Sequence, residues 1–526
     1  MLLRSVPILI PKTSINTDLH GFLLSFVLVS LLAFSGMADA KLRLPDTTGL
    51  TRFTYEELDL PNQETMGLAG GNVLLNLNEH IYSGLGVYGA VRGQRGGFFI
   101  GGLETGVRTR IRRDWWVDAG VFVGGGGGGA APQGGGLMIR PHAGVLYETS
   151  LGRFGLNYSL VKFPNGDINS SQWSLSYEHP MEIRVGRSWL SDSQLQSKVD
   201  SLLKKKDYPA TQDFSVLIQG YQLPKGTLGR SGTVQDENMS LVGIEWDYLV
   251  KPRLFFRFQT LGAIGGSSDG YAQVLLGGGY RYKLPGNNRF KIAVTVGASG
   301  GGNVDTGGGL IGNASVSLEH RFRNGVLLGA QAGYIDAAKG AFKANTLGLY
   351  LGYSDQAPRP LHEISPDDVR ARHWRLRVSH QTYFPTGDTR RKGQTQPDDR
   401  NIHLIALQTD LILNPRLYLT GQALGAYDGG AGGYAAGLVG GGVIYPLWKR
   451  SRLFFNAEGL VGAAGGGGIA VGDGLITQVT AGVGYRINKT YSAMLSYGKI
   501  QASQGNFEAN TLTMSLSVRF TTMAWK

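Results

Sequence analysis

TLTMSLSVRF, from Thr511 to Phe520, alternates without a break: Leu512, Met514, Leu516, Val518 and Phe520 fall on one face, and Thr511, Thr513, Ser515, Ser517 and Arg519 on the other. A period of two is that of an extended strand whose two faces meet different surroundings. The pattern returns earlier in the chain, in Phe290, Ile292, Val294 and Val296 against Lys291, Ala293, Thr295 and Gly297. It returns again in Leu453, Phe455, Ala457 and Val461 against Phe454, Asn456 and Glu458. One face is apolar; the other is polar or carries no side chain.

These strands belong to a repeat. LGAIGGSSDGYAQVLLGGGYRY, starting at Leu261, is echoed 163 residues on by LGAYDGGAGGYAAGLVGGGVIY, starting at Leu424. A weaker copy, YGAVRGQRGGFFIGG from Tyr88, places Gly97-Phe98 where the others have Gly270-Tyr271 and Gly433-Tyr434. Ala344-Asn345-Thr346-Leu347 matches Ala509-Asn510-Thr511-Leu512, and strands closed by Pro61, Pro224 and Pro385 open the copies. A period this long implies whole modules rather than solenoid units. The reading is a signal segment 1–40, β-repeats at 51–186, 212–354 and 372–520, linkers at 187–211 and 355–371, and a tail at 521–526. Each repeat holds about eight strands of ~10 to 14 residues, about 24 in all, the length that crosses a bilayer when tilted.

Composition agrees with this reading. Glycine supplies 81 of 526 residues and charged residues only 17%, a balance that excludes helical bundles and coiled coils. The absence of cysteine excludes disulfide scaffolds, thiolate metal sites and a cysteine nucleophile. Net charge is +12, but the bases are scattered rather than striped, so no nucleic-acid partner is expected. No catalytic spacing appears, and neither an enzyme nor a cofactor is expected; His142, on a polar strand face with Arg140 and Glu148, reads as an inward network residue rather than a general base.

Arg4 and Lys12 precede the apolar run GFLLSFVLVSLLAF (Gly21 to Phe34), and Ala38-Asp39-Ala40 follows as a small-residue cleavage pattern. No later segment is apolar for the ~18 residues a spanning helix needs, so membrane entry requires closed β-structure. Links alternate long and short: LPKGTLGRSGTVQDEN, then Lys251-Pro252-Arg253; GGGNVDTGGG, then Arg323-Asn324-Gly325; and short again at Asn414-Pro415-Arg416, Lys449-Arg450 and Asn488-Lys489. Short turns then face the periplasm and long loops the exterior.

From Thr51 to Phe520 these features resemble the Gram-negative outer-membrane β-barrel class; the chain departs from it by continuing past Phe520 through TTMAWK. The resemblance implies an all-β transmembrane antiparallel barrel in the outer membrane and contact with the barrel-assembly machinery. Two closures compete: one barrel of about 24 strands, or three tandem barrels of about eight. We take the single barrel, because many inward residues are small and would leave a narrow barrel underfilled. Its function is then a pore or export channel for a polar solute or secreted polymer, with a periplasmic export partner as a further candidate; the alternatives are a structural or surface-binding barrel and a lipid-modifying enzyme.

The lumen lining would be Glu104, Arg108 and Arg110 in the first unit, Glu245, Asp247, Arg257, Lys291, Glu319 and Arg321 in the second, and Glu458 in the third. Loop bases, above all Arg390, Arg391 and Lys392, are expected to bind lipopolysaccharide phosphates. Apolar residues at helical spacing near Ser191 to Lys206, and Ser365-Pro366-Asp367-Asp368, mark short helices in the two linkers.

Overall fold

A computed structural model describes residues 48–525 apart from 183–184, 187–190, 194–195, 197–210, 357–364, 388, 399 and 449–450. The signal segment, most of the first linker helix and the Lys449-Arg450 turn lie outside the described residues. Among the described residues the second linker carries a 3-10 turn, Pro366–Asp368, with Ser365 donating from its hydroxyl to Asp368 at 3.1 Å.

Eight antiparallel strands, from β1 (Thr48–Leu60) to β8 (Asn169–Glu182), close on themselves: Arg52 of β1 faces Asn72 of β2 (Glu64–Asn76) on one side and Glu178 of β8 on the other. A second closed barrel runs from β10 (Gln212–Gln222) to β17 (Lys343–Ser354). A third runs from β18 (Val369–Pro385) to β25 (Glu508–Trp525), joined along seventeen residue pairs from Val369–Trp525 to Pro385–Ala509. Past the point where β24 (Tyr491–Ala502) ends its pairing, the two-residue β9 (Val185–Gly186) adds to β25 at Thr521 and Thr522. Trp525 donates from its indole to the carbonyl of Asp355 at 3.2 Å. The tail beyond Phe520 is therefore strand, and it gathers the chain as it leaves barrels 1 and 2.

The three units of eight strands are as expected, but the single closure is not formed. The small inward residues are slots rather than empty space. A Cβ on Gly120 would lie 2.7 Å from the Tyr82 hydroxyl, and one on Gly106, Gly442 or Gly484 would land on Tyr82, Tyr418 or Phe454 respectively. Each glycine seats an aromatic ring from the adjacent strand or the one beyond it, so glycines and aromatic rings together fill an eight-strand interior.

The barrels form a ring. The third strand of each meets the fifth of the next: β3 (Ile81–Arg92) touches β14 (Asn288–Gly300), β12 (Leu254–Gly265) touches β22 (Leu453–Gly465), and β20 (Leu417–Asp428) touches β5 (Trp115–Gly127). The glycine runs read from sequence as curved hairpins are where these contacts come closest. A Cβ on Gly97 would stand 2.5 Å from the nitrogen of Gly301, on Gly270 2.9 Å from that of Gly466, and on Gly433 2.7 Å from that of Gly128. Gly97 donates to Ser299 O at 3.0 Å and Gly433 to Gly126 O at 3.1 Å, so backbone binds backbone between barrels. The result is a pseudo-threefold trimer in one chain.

Polarity is inverted relative to a water-soluble barrel. Outward Leu347, Leu349 and Leu351 are 69%, 67% and 61% exposed, and Trp173, Leu175, Val294 and Val479 likewise stand outside, while arginines and carboxylates are buried inside. Such a belt suits hydrocarbon.

Candidate functional site

In barrel 1 the hub is Arg52, 2% exposed. It reaches Glu104 at 2.6 Å, Asp118 at 2.9 Å and Glu178 at 2.5 Å, and donates to the Tyr82 hydroxyl at 3.0 Å. His142 lies 3.0 Å from Asp118 and 3.1 Å from Arg52, inside this network. Arg140 pairs with Glu56 at 2.6 Å and Arg108 with Glu178 at 3.3 Å. Arg110 sits elsewhere: half-exposed near a short turn, it pairs with Glu148 at 2.6 Å and stacks 4.7 Å over Trp116.

Barrel 2 brings most of its expected residues together. Asp247 accepts two bonds from Arg257, at 2.7 and 2.8 Å, and one from Lys291 at 2.9 Å. Lys291 continues to Glu319 at 2.9 Å, and Glu245 takes Arg257 at 2.8 Å. Arg321, half-buried at the end of its strand, donates instead to the carbonyl of Gln356 at 3.2 Å. In barrel 3 Glu458 receives Arg377 at 2.7 Å and the Tyr418 hydroxyl at 2.8 Å, while Asp410 takes Arg375 at 2.5 Å and Arg377 at 2.7 Å.

Sequence reading missed Arg52, Glu56, Asp118, Glu178, Arg375, Arg377 and Asp410 as interior residues. A signal was present for the two arginines of β18: Arg375, Arg377, Ser379 and Gln381 alternate with Trp374, Leu376 and Val378. Among the described residues no group of three or more metal-ligating side chains forms a cation site. Chemically these interiors are closed charge networks. Each carboxylate is held by a guanidinium or ammonium in a space where an unpaired charge would be costly.

The long-loop end is also built. Arg391 is buried: it pairs with Asp398 at 2.6 Å and donates to the carbonyls of Gly430 (3.2 Å), Gly467 (3.0 Å) and Gly429 (3.0 Å). Three loops of barrel 3 thus converge on one guanidinium. Lys392 pairs with Asp269 in the loop after β12, linking barrels 3 and 2. Arg230 of barrel 2 donates to Gln94 O in barrel 1 at 2.7 Å. Hydrogen bonds from Arg400 and then Arg391 hold the Asp398 carboxyl well below the usual carboxylate range. A depressed folded-state pKa gives stability that is present above the ordinary value near ~4 and is lost as pH falls through the lower one.

Changing Arg391 to Gln takes one of two guanidiniums from Asp398, which keeps Arg400, and leaves at least two glycine carbonyls without their donor. The loop between β18 and β19 (Ile402–Ile412) should then be cut by protease many times faster at neutral pH, with barrel closure intact on heat-modifiability gels.

No protein-family model and no curated protein matches the chain. Solved structures similar to it include the siderophore receptor PirA from Pseudomonas aeruginosa, at 12% identity and a TM-score of 0.26, covering 91% of this chain and 81% of that one. Pseudomonas aeruginosa OccK10 (OpdN) is 10% identical with a TM-score of 0.22, covering 90% of this chain and 98% of its own. A de novo designed transmembrane β-barrel is 14% identical with a TM-score of 0.20, covering 28% of this chain and 94% of that one. These values are too low to assign the chain to any of those groups.

Proposed function

We propose that the protein is an outer-membrane three-barrel protein that anchors and presents a rigid external loop surface, rather than a wide diffusion pore. The observation that carries this is the interior of each barrel: eight strands closed on themselves around buried ion pairs such as Arg52 with Glu104, Asp118 and Glu178, or Lys291 with Asp247 and Glu319. The apolar outward belt supports residence in a bilayer, and the loop contacts between barrels support a fixed outer face. Phosphates of lipopolysaccharide are the ligand we propose for the exposed part of that face, where Lys392 and Arg400 stand 48% and 56% exposed.

One observation favours a second reading, a narrow ion-selective channel. The interiors hold buried amides, including those of Gln259, Asn313, Gln381 and Asn456, each with an atom lacking a protein partner, and such groups call for water. Planar-bilayer recording separates the two. The anchoring protein is expected to be silent, and to stay silent after Arg257→Ser. Small steady currents that grow in Arg257→Ser would establish the channel and overturn the anchoring role as sole function.

A further inference from the structure

Strand register makes barrels 2 and 3 comparable residue by residue. Tyr221 pairs with Thr346 across the closing seam of barrel 2, and Tyr383 with Thr511 across that of barrel 3. Counted from these pairs toward the short-turn end, Asp213 and Ser354 correspond to Arg375 and Arg519. On the fifth and sixth strands of each barrel, the pair Arg289–Glu319 corresponds to Phe454–Gly484, and Arg321 to Arg486. In barrel 2 the two carboxylates neutralise this layer: Asp213 takes Arg289 at 3.0 Å and Arg281 at 3.3 Å, and Glu319 takes Arg289 at 3.1 Å. In barrel 3 both carboxylate positions are lost, one to an arginine and one to glycine.

What remains at this end of barrel 3 is cationic over an apolar floor. Arg375 lies directly opposite Arg519 in the ladder, a like-charge pairing that costs stability. Tyr418, Ile444, Phe454 and Met494 form a buried cluster beneath, with Arg375 4.8 Å over the Tyr418 ring and Arg486 5.5 Å over that of Phe454. At the same level Asp410 stands opposite Arg375 in the β18–β19 ladder and pairs with it and with Arg377, and Glu458 takes Arg377, so one carboxylate faces the three arginines Arg375, Arg486 and Arg519. Arg375 is fully buried, yet its Nη2 has no hydrogen-bond partner, and the same holds for the buried Nε of Arg486. Arg486 and Arg519 are only partly buried, so solvent reaches both side chains at this end.

We propose that the short-turn mouth of barrel 3 is an oxyanion-binding site for a phosphate group, with Arg375 and Arg486 as donors and Arg519 adding charge. Guanidinium forks match phosphate in geometry and charge. The source is either free phosphate or the headgroup phosphate of an inner-leaflet lipid; only the side of the membrane rests on the function proposed above.

The full chain in phosphatidylcholine nanodiscs should be titrated calorimetrically with inorganic phosphate and, separately, with glycerol 1-phosphate as the headgroup probe. One saturable site is expected. Arg486→Gln should weaken it roughly tenfold, the value of a charge-assisted bond, while Arg321→Gln at the equivalent place in barrel 2 should not. Met494 lies with its sulfur 3.7 Å from Arg375 Nη1, so Met494→Glu supplies an internal counter-charge and should abolish binding while raising thermal stability. Preference for glycerol 1-phosphate assigns the lipid source, and equal or better binding of phosphate the free ion. Absence of saturable binding to either probe, or unchanged binding in Met494→Glu, overturns the site whatever the bilayer recordings show.

Discussion

Replacing Arg52 by Met is expected to destabilise barrel 1 by about 3–5 kcal/mol, because it removes the shared partner of three buried carboxylates and leaves Glu104 and Asp118 without a guanidinium, Glu178 keeping only the longer contacts to Arg108 and Arg153. Glu104, Asp118 and Glu178 all reach this one side chain, and none is more than 3% exposed. Urea titration read on heat-modifiability gels should show barrel 1 unfolding at a lower concentration. Arg110→Met is the control. Its ion pair with Glu148 is exposed, with side chains 51% and 30% accessible, so its loss should cost less than about 1 kcal/mol. Equal effects from the two variants would mean that the interior network contributes no more than a surface pair.

The second large effect concerns the ring. Gly465 has an ordinary backbone conformation, yet a Cβ there would fall on the backbone of Gly270, which belongs to the next barrel and has no flexible end to yield. Gly465→Val should cost about 1–3 kcal/mol by overpacking and part barrels 2 and 3 without unfolding either. The chain has no cysteine, so a reporter is available. A Cβ on Gly262 would stand 3.0 Å from that of Ala463, so cysteines introduced at these two positions should oxidise to a disulfide in the native ring. In the Gly465→Val background that bridge should fail to form, while each barrel keeps its gel shift. Unimpaired cross-linking would show that close glycine packing does not hold the ring.

The strands were legible because a membrane barrel writes a period of two along every strand, as in Leu512 to Phe520, and the repeats because Gly270-Tyr271 and Gly433-Tyr434 recur in register. Closure was not legible. Gly442 looks like missing volume in a sequence, and only the fold reveals that the ring of Tyr418 occupies its place. The same limit hid the role of Arg391. Its partners are backbone carbonyls at Gly429, Gly430 and Gly467, and a carbonyl leaves no trace in residue type, so a base in a long loop reads as free to meet lipid phosphate. Interior carboxylates such as Glu245 and Asp247 could be placed by alternation, but their partners across the barrel could not, since Asp247 and Lys291 are brought together only by closure.

The short pairing of Val185–Gly186 with Thr521 and Thr522 also sets an order of events. The chain leaving barrel 1 waits for a partner that lies in β25, the strand that closes barrel 3. The first two barrels have every strand they need to close before then, but their tether is pinned only when the final strand arrives. Closure of barrel 3 and fixing of the three-barrel arrangement are therefore one step, and a chain cut before β25 would hold two finished barrels in an unfinished assembly.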